Sequence, residues 1–308
     1  MSPRMSTLFP PAVLLLAVMC QLSAAQTATN KSDDRDAAAD ATLLKRRYHE
    51  GEKLTYHMKG MNEAWRYEIQ ANGLVKRDSD GRHFEEYGWS KLTSNSAEIP
   101  LPPASENFRQ QLSLDPDRPP SVPDLSKVSP MLIGPITDLL TFYSDLWLAM
   151  RAGSLVHAGD HFYHSYGTPA SWADGTHVLV GQDSIDFDVT LADVNRSDQT
   201  ATVAVRHVPP KQTEIKLAAD WMRTPITDTP NNWVQVTKNA DGNYSAEVGK
   251  ETFDVEIHVS LVDGKILHAT LDNLVVAQKR ECGDVALASC GSPFSHQIRR
   301  QVEINLEH

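Results

Sequence analysis

Residues 129–153 read SPMLIGPITDLLTFYSDLWLAMRAG and carry the one long helical pattern in the chain. Ile136, Leu139, Leu140, Tyr143, Trp147 and Met150 recur at i, i+3, i+4, i+7, i+11 and i+14, one face of a 3.6-residue helix. Phe142, Leu146 and Leu148 widen that face, and Thr137, Asp138, Thr141, Ser144 and Asp145 are expected on the wet side. Pro135 suits a first helical turn, and Gly153 suits the left-handed residue just past the end. The pattern predicts a helix over 135–152, about 25 Å long. It is too short, and with two internal Asp too polar, to span a bilayer. Its wide apolar face must therefore be buried against a sheet, or against a sheet and a ligand.

The rest of the chain alternates with a period of two. Trp65, Tyr67 and Ile69 alternate with Ala64, Arg66, Glu68 and Gln70. Ile185, Phe187, Val189 and Leu191 alternate with Asp186, Asp188 and Thr190, and Phe253, Val255, Ile257, Val259 and Leu261 with Asp254, Glu256, His258 and Ser260. Ala201, Val203 and Val205, and finally Val302, Ile304 and Leu306, repeat the pattern. Asn72-Gly73, Asp80-Gly81, Asp174-Gly175, Asp241-Gly242 and Asp263-Gly264 read as turns between such runs. Roughly a dozen strands in consecutive hairpins result, each with one apolar and one wet face. A flat sheet of that size would leave its apolar face bare, so it must curl or stack. The expected fold is mainly β: a large antiparallel, partly open β-barrel (a half-barrel) with the one amphipathic helix packed on the concave face.

Residues 100–135 hold nine of the eighteen prolines, which excludes a central strand or a continuous helix. A short helix over 105–112 fits, and the remainder reads as an extended connection. Its apolar residues Leu101, Phe108, Leu112, Leu114, Val122, Leu125 and Val128 are expected to lie along the sheet.

The N-terminus changes the picture of where the chain works. Arg4, an apolar run over 8–19 and Ser23-Ala24-Ala25 form the three parts of a secretory signal peptide, expected to be cut near Ala25. Cys20 would anchor the chain if lipidated, but Met19 stands where that signal needs a small residue. Residues 26–42 are polar and aperiodic and read as a disordered leader. One β-rich domain over 43–308 follows. Removing residues 1–25, with one base and no acid, takes the formal charge from −11 to −12. That charge, without a basic stripe, excludes nucleic acid as a partner. Of three cysteines only Cys282 and Cys290 then remain. In an oxidising compartment such a pair is expected to form a disulfide. Neither a second zinc-finger pair nor Cys-x-x-Cys spacing is present.

Candidate chemistry is sparse. His157, His161 and His164 with Asp160 would share a face on a helix and could bind zinc. The surrounding Gly and aromatic residues instead indicate a strand, on which His164 points away from the other two. A secreted hydrolase using this region, with or without a metal, stays open as an alternative. Ser171 beside Trp172 and Asp174 leaves a Ser–His–Asp arrangement open as well. Asp186 and Asp188 share a strand face, and the wet side of a half-buried strand accounts for them. No nucleophile elbow, P-loop or dinucleotide fingerprint occurs. No cofactor is called for.

Several stretches bring a family into view: Tyr48-His49-Glu50-Gly51-Glu52-Lys53-Leu54-Thr55-Tyr56 opening a strand meander, the helix Asp138-Leu139-Leu140-Thr141-Phe142-Tyr143, and Ala158-Gly159-Asp160 leading into further hairpins. Their order resembles an uncharacterised family of exported bacterial β-proteins. The layout of that family is similar to the open half-barrels of lipoprotein carriers of the LolA/LolB type. The residue-level match is confined to Gly51-Glu52-x-Leu54-x-Tyr56 and the helix-to-Gly-Asp junction. The resemblance implies a periplasmic protein that binds something apolar in its sheet, and it brings no catalytic residues. The leading expectation is thus a non-catalytic periplasmic protein, binding or carrying an apolar small molecule, a lipid or a partner segment. The expected ligand site is Leu139, Tyr143 and Trp147 on the helix, Phe187 and Val255 on strands, and Trp172 at the mouth, with Val189 and Ile257 on the strand faces behind. A structural or interaction module with a solid core is the remaining alternative.

Overall fold

The computed structural model describes residues 43–167, 184–208, 219–239 and 241–307. Twelve strands form one antiparallel sheet that does not close. In chain order they are β1 (Lys53–Asn62), β2 (Trp65–Arg77), β3 (His83–Ser94), β4 (Ala97–Glu98), β5 (Gln110–Leu112), β6 (His161–Gly167), β7 (Ser184–Asn195), β8 (Thr200–His207), β9 (Trp233–Lys238), β10 (Tyr244–Ser260), β11 (Ile266–Cys282) and β12 (Phe294–Leu306). Across the sheet the order is β4-β3-β2-β1-β12-β11-β10-β8-β7-β6, with β5 beside β3 and β9 beside β10. The last strand thus lies between the first strand and its own hairpin partner. Two helices, α1 (Pro103–Glu106) and α2 (Pro130–Ala152), complete the regular elements, with a 3-10 turn at Asp220–Arg223.

The period of two survives folding. Leu54, Tyr56 and Met58 on β1, Val255 and Ile257 on β10, and Val302 and Ile304 on β12 are buried on one face with α2. Three predicted turns hold, each with a glycine at positive φ: Gly81, Gly242 and Gly264. Asn72-Gly73 is not a turn; it lies inside β2. Gly73 is in register with Tyr87, and a Cβ there would overlap the Tyr87 ring. Gly60 does the same for Tyr67 across β1 and β2. Both tyrosines can therefore lie flat over a neighbouring strand and extend their hydroxyls to the helix.

Helix α2 starts earlier than the pattern suggests. Ser129 precedes it, Pro130 occupies the first turn, Pro135 lies inside, and Gly153 closes it at φ 64°. Sixteen of its residues are buried, and of the expected wet side only Ser144 keeps partial exposure. Thr137, Asp138, Thr141 and Asp145 are all among the buried residues. The threonine hydroxyls bond backwards to Gly134 O and Thr137 O, each at 2.9 Å, which satisfies them without water. Asp138 finds Arg300 and Tyr67 on the sheet. Leu112, Leu114 and Val128 of the proline-rich connection are buried, and Leu101, Phe108, Val122 and Leu125 pack beside them, so this connection does lie along the core. The short helix forms at Pro103–Glu106, and residues 110–112 join the sheet instead.

The long strands β10 and β11 run past the body and build an arm. One edge of β10 pairs with β8 over Asp254–Ser260 and with β9 over Tyr244–Gly249. On one face of the arm, Met222, Val234, Val236, Ala246, Val248 and Leu287 form a second core with Cys282. Cys282 and Cys290 are disulfide-bonded, as expected, with Cα atoms 4.0 Å apart. On the other face, Trp233, Val275 and Ala277 form a third small cluster with Ile298.

Candidate functional site

Two polar constellations stand out. The first is buried between helix and sheet. Glu85, on the apolar face of β3, accepts from Arg46 Nε at 2.8 Å and from Tyr87 Oη at 2.9 Å, and also from Tyr143 of α2. Tyr87 and Tyr143 hydroxyls lie 2.6 Å apart. Arg46 continues to Glu52 at 2.9 Å, and Lys265 bridges Glu52 at 2.5 Å and Asp263 at 2.8 Å. Burial, and then the neighbouring Glu85 carboxylate, hold the Tyr87 and Tyr143 hydroxyls well above the ordinary phenol range. They act as neutral donors, and the network pins the helix, β1, β3 and the β10–β11 turn together. One signal for it was present in the sequence: Glu85 shares its strand face with Tyr87 and Trp89, where an apolar residue belongs.

The second constellation lies on the face opposite α2, where an open trough of about 780 Å³ crosses the sheet. Two in-register rows line it. One runs Thr93, Glu68, Lys59, Glu303, Thr270, Glu256, Ala204, from β3 to β8. The other runs Arg66, Met61, Gln301, Asp272, Asp254, Arg206. Seven strands spaced about 4.8 Å apart give a length of about 29 Å. Glu68 lies on β2, and four further carboxylates, Glu303, Asp272, Glu256 and Asp254, occupy the adjacent strands β12, β11 and β10. Arg206 pairs with Asp254 and Arg299 with Asp272, each at 2.9 Å. Lys59 and Arg66 form no ion pair among the described residues. Sequence reading did not find these rows, because their neighbours come from strands far apart in the chain.

The expected apolar site is placed differently from this trough. Leu139, Tyr143, Trp147, Phe187, Val189, Val255 and Ile257 are all buried in the main core. Trp147 donates to Asp115 O at 2.8 Å and lies under the Arg151 guanidinium. Of these residues, only Val255 also borders the trough. Trp172 and Ser171 lie outside the described residues, as do residues 1–42, where the signal peptide and leader are expected.

The histidines do not converge. His157 sits in an exposed turn 3.6 Å from Asp160. His161 faces Asp188 across β6 and β7 at 3.4 Å. His164, on the other face of β6, has its pKa lowered by burial and by Arg151. Among the described residues no three His, Cys, Asp or Glu side chains gather as a metal site requires. Asp186 accepts from Ser165 at 2.5 Å, a cross-strand pair on the wet face. Among those residues, too, no helix is long and apolar enough to cross a membrane.

The sequence matches no protein-family model and no curated protein.

Proposed function

We propose that this chain is an exported, non-catalytic binding protein, and that the transverse trough holds an extended partner segment with a basic centre. The observation that carries the reading is the alignment of seven strands at one level. It sets four carboxylates on adjacent strands, from the middle toward the β8 end of a groove about 29 Å long, room for about nine residues of extended chain. Such a ligand binds by charge and backbone polarity, and its affinity falls with salt. The test is titration of a nine-residue Lys-centred peptide, with its Glu-centred counterpart as control. Amide resonances of residues 59, 256, 270 and 303 are expected to shift with the first only. Glu256→Lys with Glu303→Lys, both on the wet face, is expected to abolish that shift. Shifts confined to other surfaces, or none with either peptide, count against the trough.

The resemblance to half-barrel carriers favours a second reading, an apolar or lipid-like ligand under α2. The open sheet edge at β6, beside Phe162 packed on the main core, favours it as well. Native mass spectrometry of gently purified protein is its test: a co-purified lipid supports it, and a clean polypeptide mass opposes it.

A further inference from the structure

We infer that the arm is a self-association surface, on which residues 294–298 of β12 pair antiparallel with the same residues of a second copy. Backbone direction is the first observation. Arg299 O accepts from Glu63 N at 2.8 Å, so odd-numbered residues of this strand turn their backbone groups toward the β1 side. Pairing with β1 ends at Arg300, whereas pairing with β11 continues to Phe294. Ser295 and Gln297 therefore present two N–H and two C=O groups on an edge to which no described strand is paired.

The second observation is self-complementarity. A two-fold axis at His296 sets Ser295 of each copy opposite Gln297 of the other, closing four backbone hydrogen bonds. The same register sets Phe294 opposite Ile298 twice, an aromatic against a β-branched side chain. Phe294 is 65% exposed, among the most exposed large apolar residues described. Ile298 is half-buried on the third cluster with Trp233 and Val275, which the partner's Phe294 would extend across the axis. Charge does not oppose the pairing, since each His296 lies 3.3 Å from its own Glu247. The partner's chain leaves the ladder before Pro293, because the place opposite Arg299 is held by Glu63. The arms would join as one eight-stranded sheet, β9-β10-β11-β12 followed by its mirror order. A ladder of five residues is far smaller than the standard interface of about 1,600 Å², so the dimer is weak and dissociates on dilution.

Sedimentation velocity over a dilution series of the full-length mature protein tests this, together with hydrogen exchange. Expected are a concentration-dependent dimer and protection of the Ser295 and Gln297 amides that grows with concentration. Gln297→Pro removes an N–H for which no described residue is a partner, on an edge where proline is tolerated. It is expected to raise the dissociation constant at least about tenfold. Phe294→Asp is expected to do the same through the side chains. A monomer throughout the series, or a dimer undiminished by either variant, overturns the inference.

Discussion

Asp145 offers the sharpest test of how α2 is held. Its side chain is buried in the middle of the helix, and its Oδ2 has no hydrogen-bond partner among the described residues. Burial pushes its carboxyl up to about 8 from an ordinary 3.8, with Arg300 drawing it partly back. Between those two values the folded protein holds a proton that the unfolded chain has released. The unfolded state binds fewer protons there, so stability falls as pH rises, by about 1.36 kcal/mol per unit. Below pH 3.8 nothing is lost; at pH 7 the loss is about 4 kcal/mol, large against a total of roughly 5–15. Asp145→Asn removes the titration. Its amide brings a constant penalty for unpaired groups, which cancels when two pH values are compared. Urea unfolding of both proteins at pH 5 and pH 7 is the assay. The difference in stability, variant minus parent, should grow by about 3 kcal/mol between them and level off above pH 8. Parallel profiles would mean that Asp145 is ionised and compensated in the fold, and the burial argument would be wrong.

Three further perturbations follow from named contacts. Glu85→Gln leaves the Arg46 guanidinium buried without its carboxylate and should cost about 3–5 kcal/mol in a thermal or urea melt; a loss under about 1 kcal/mol would show the network to be hydrated. Gly60→Ala drives a backbone-fixed Cβ into the Tyr67 ring, displacing it from Asp138, and should cost about 1–3 kcal/mol, relieved by adding Tyr67→Leu. Replacing Cys282 and Cys290 by Ser frees a short loop whose closure is worth about 2.5 kcal/mol. Hydrogen exchange should then accelerate in β9 and the first half of β10 while β1 to β3 stay protected; equal acceleration everywhere would deny the arm its separate core.

What could be read from the chain alone follows the range of the interactions. The runs 187–191 and 253–259 were legible because alternation is local and each apolar residue marks the same face. Asp80-Gly81, Asp241-Gly242 and Asp263-Gly264 were legible because positive φ at glycine is local too. Asn72-Gly73 carried the same dipeptide signal for another reason: Gly73 makes room for the Tyr87 ring on the neighbouring strand. The helix was found, but its polar residues were assigned to water, because the partner of Asp138 is Arg300, 162 residues later. Arg46 and Glu85 are 39 residues apart, and nothing near either one announces the other. The trough required more still. Lys59 meets Glu303 only because β12 returns beside β1, a pairing that no local period encodes.

The two readings of the binding surface differ in what must move. An apolar ligand under α2 has to displace Leu139, Tyr143 and Trp147 from contact with the sheet. At about 1.5–3 kcal/mol for each large side chain exposed, that is roughly 5–9 kcal/mol. The Tyr143 bonds to Glu85 and Tyr87 add to the cost, in a fold whose whole stability is of the same order. The trough asks for no such opening, since its rows already face solvent. Hydrogen exchange of the α2 amides separates the cases. Under the trough reading, helix protection is unchanged by peptide or by lipid vesicles. Under the carrier reading, residues 139–147 lose protection when lipid is added, because the helix must leave its place for the ligand to enter.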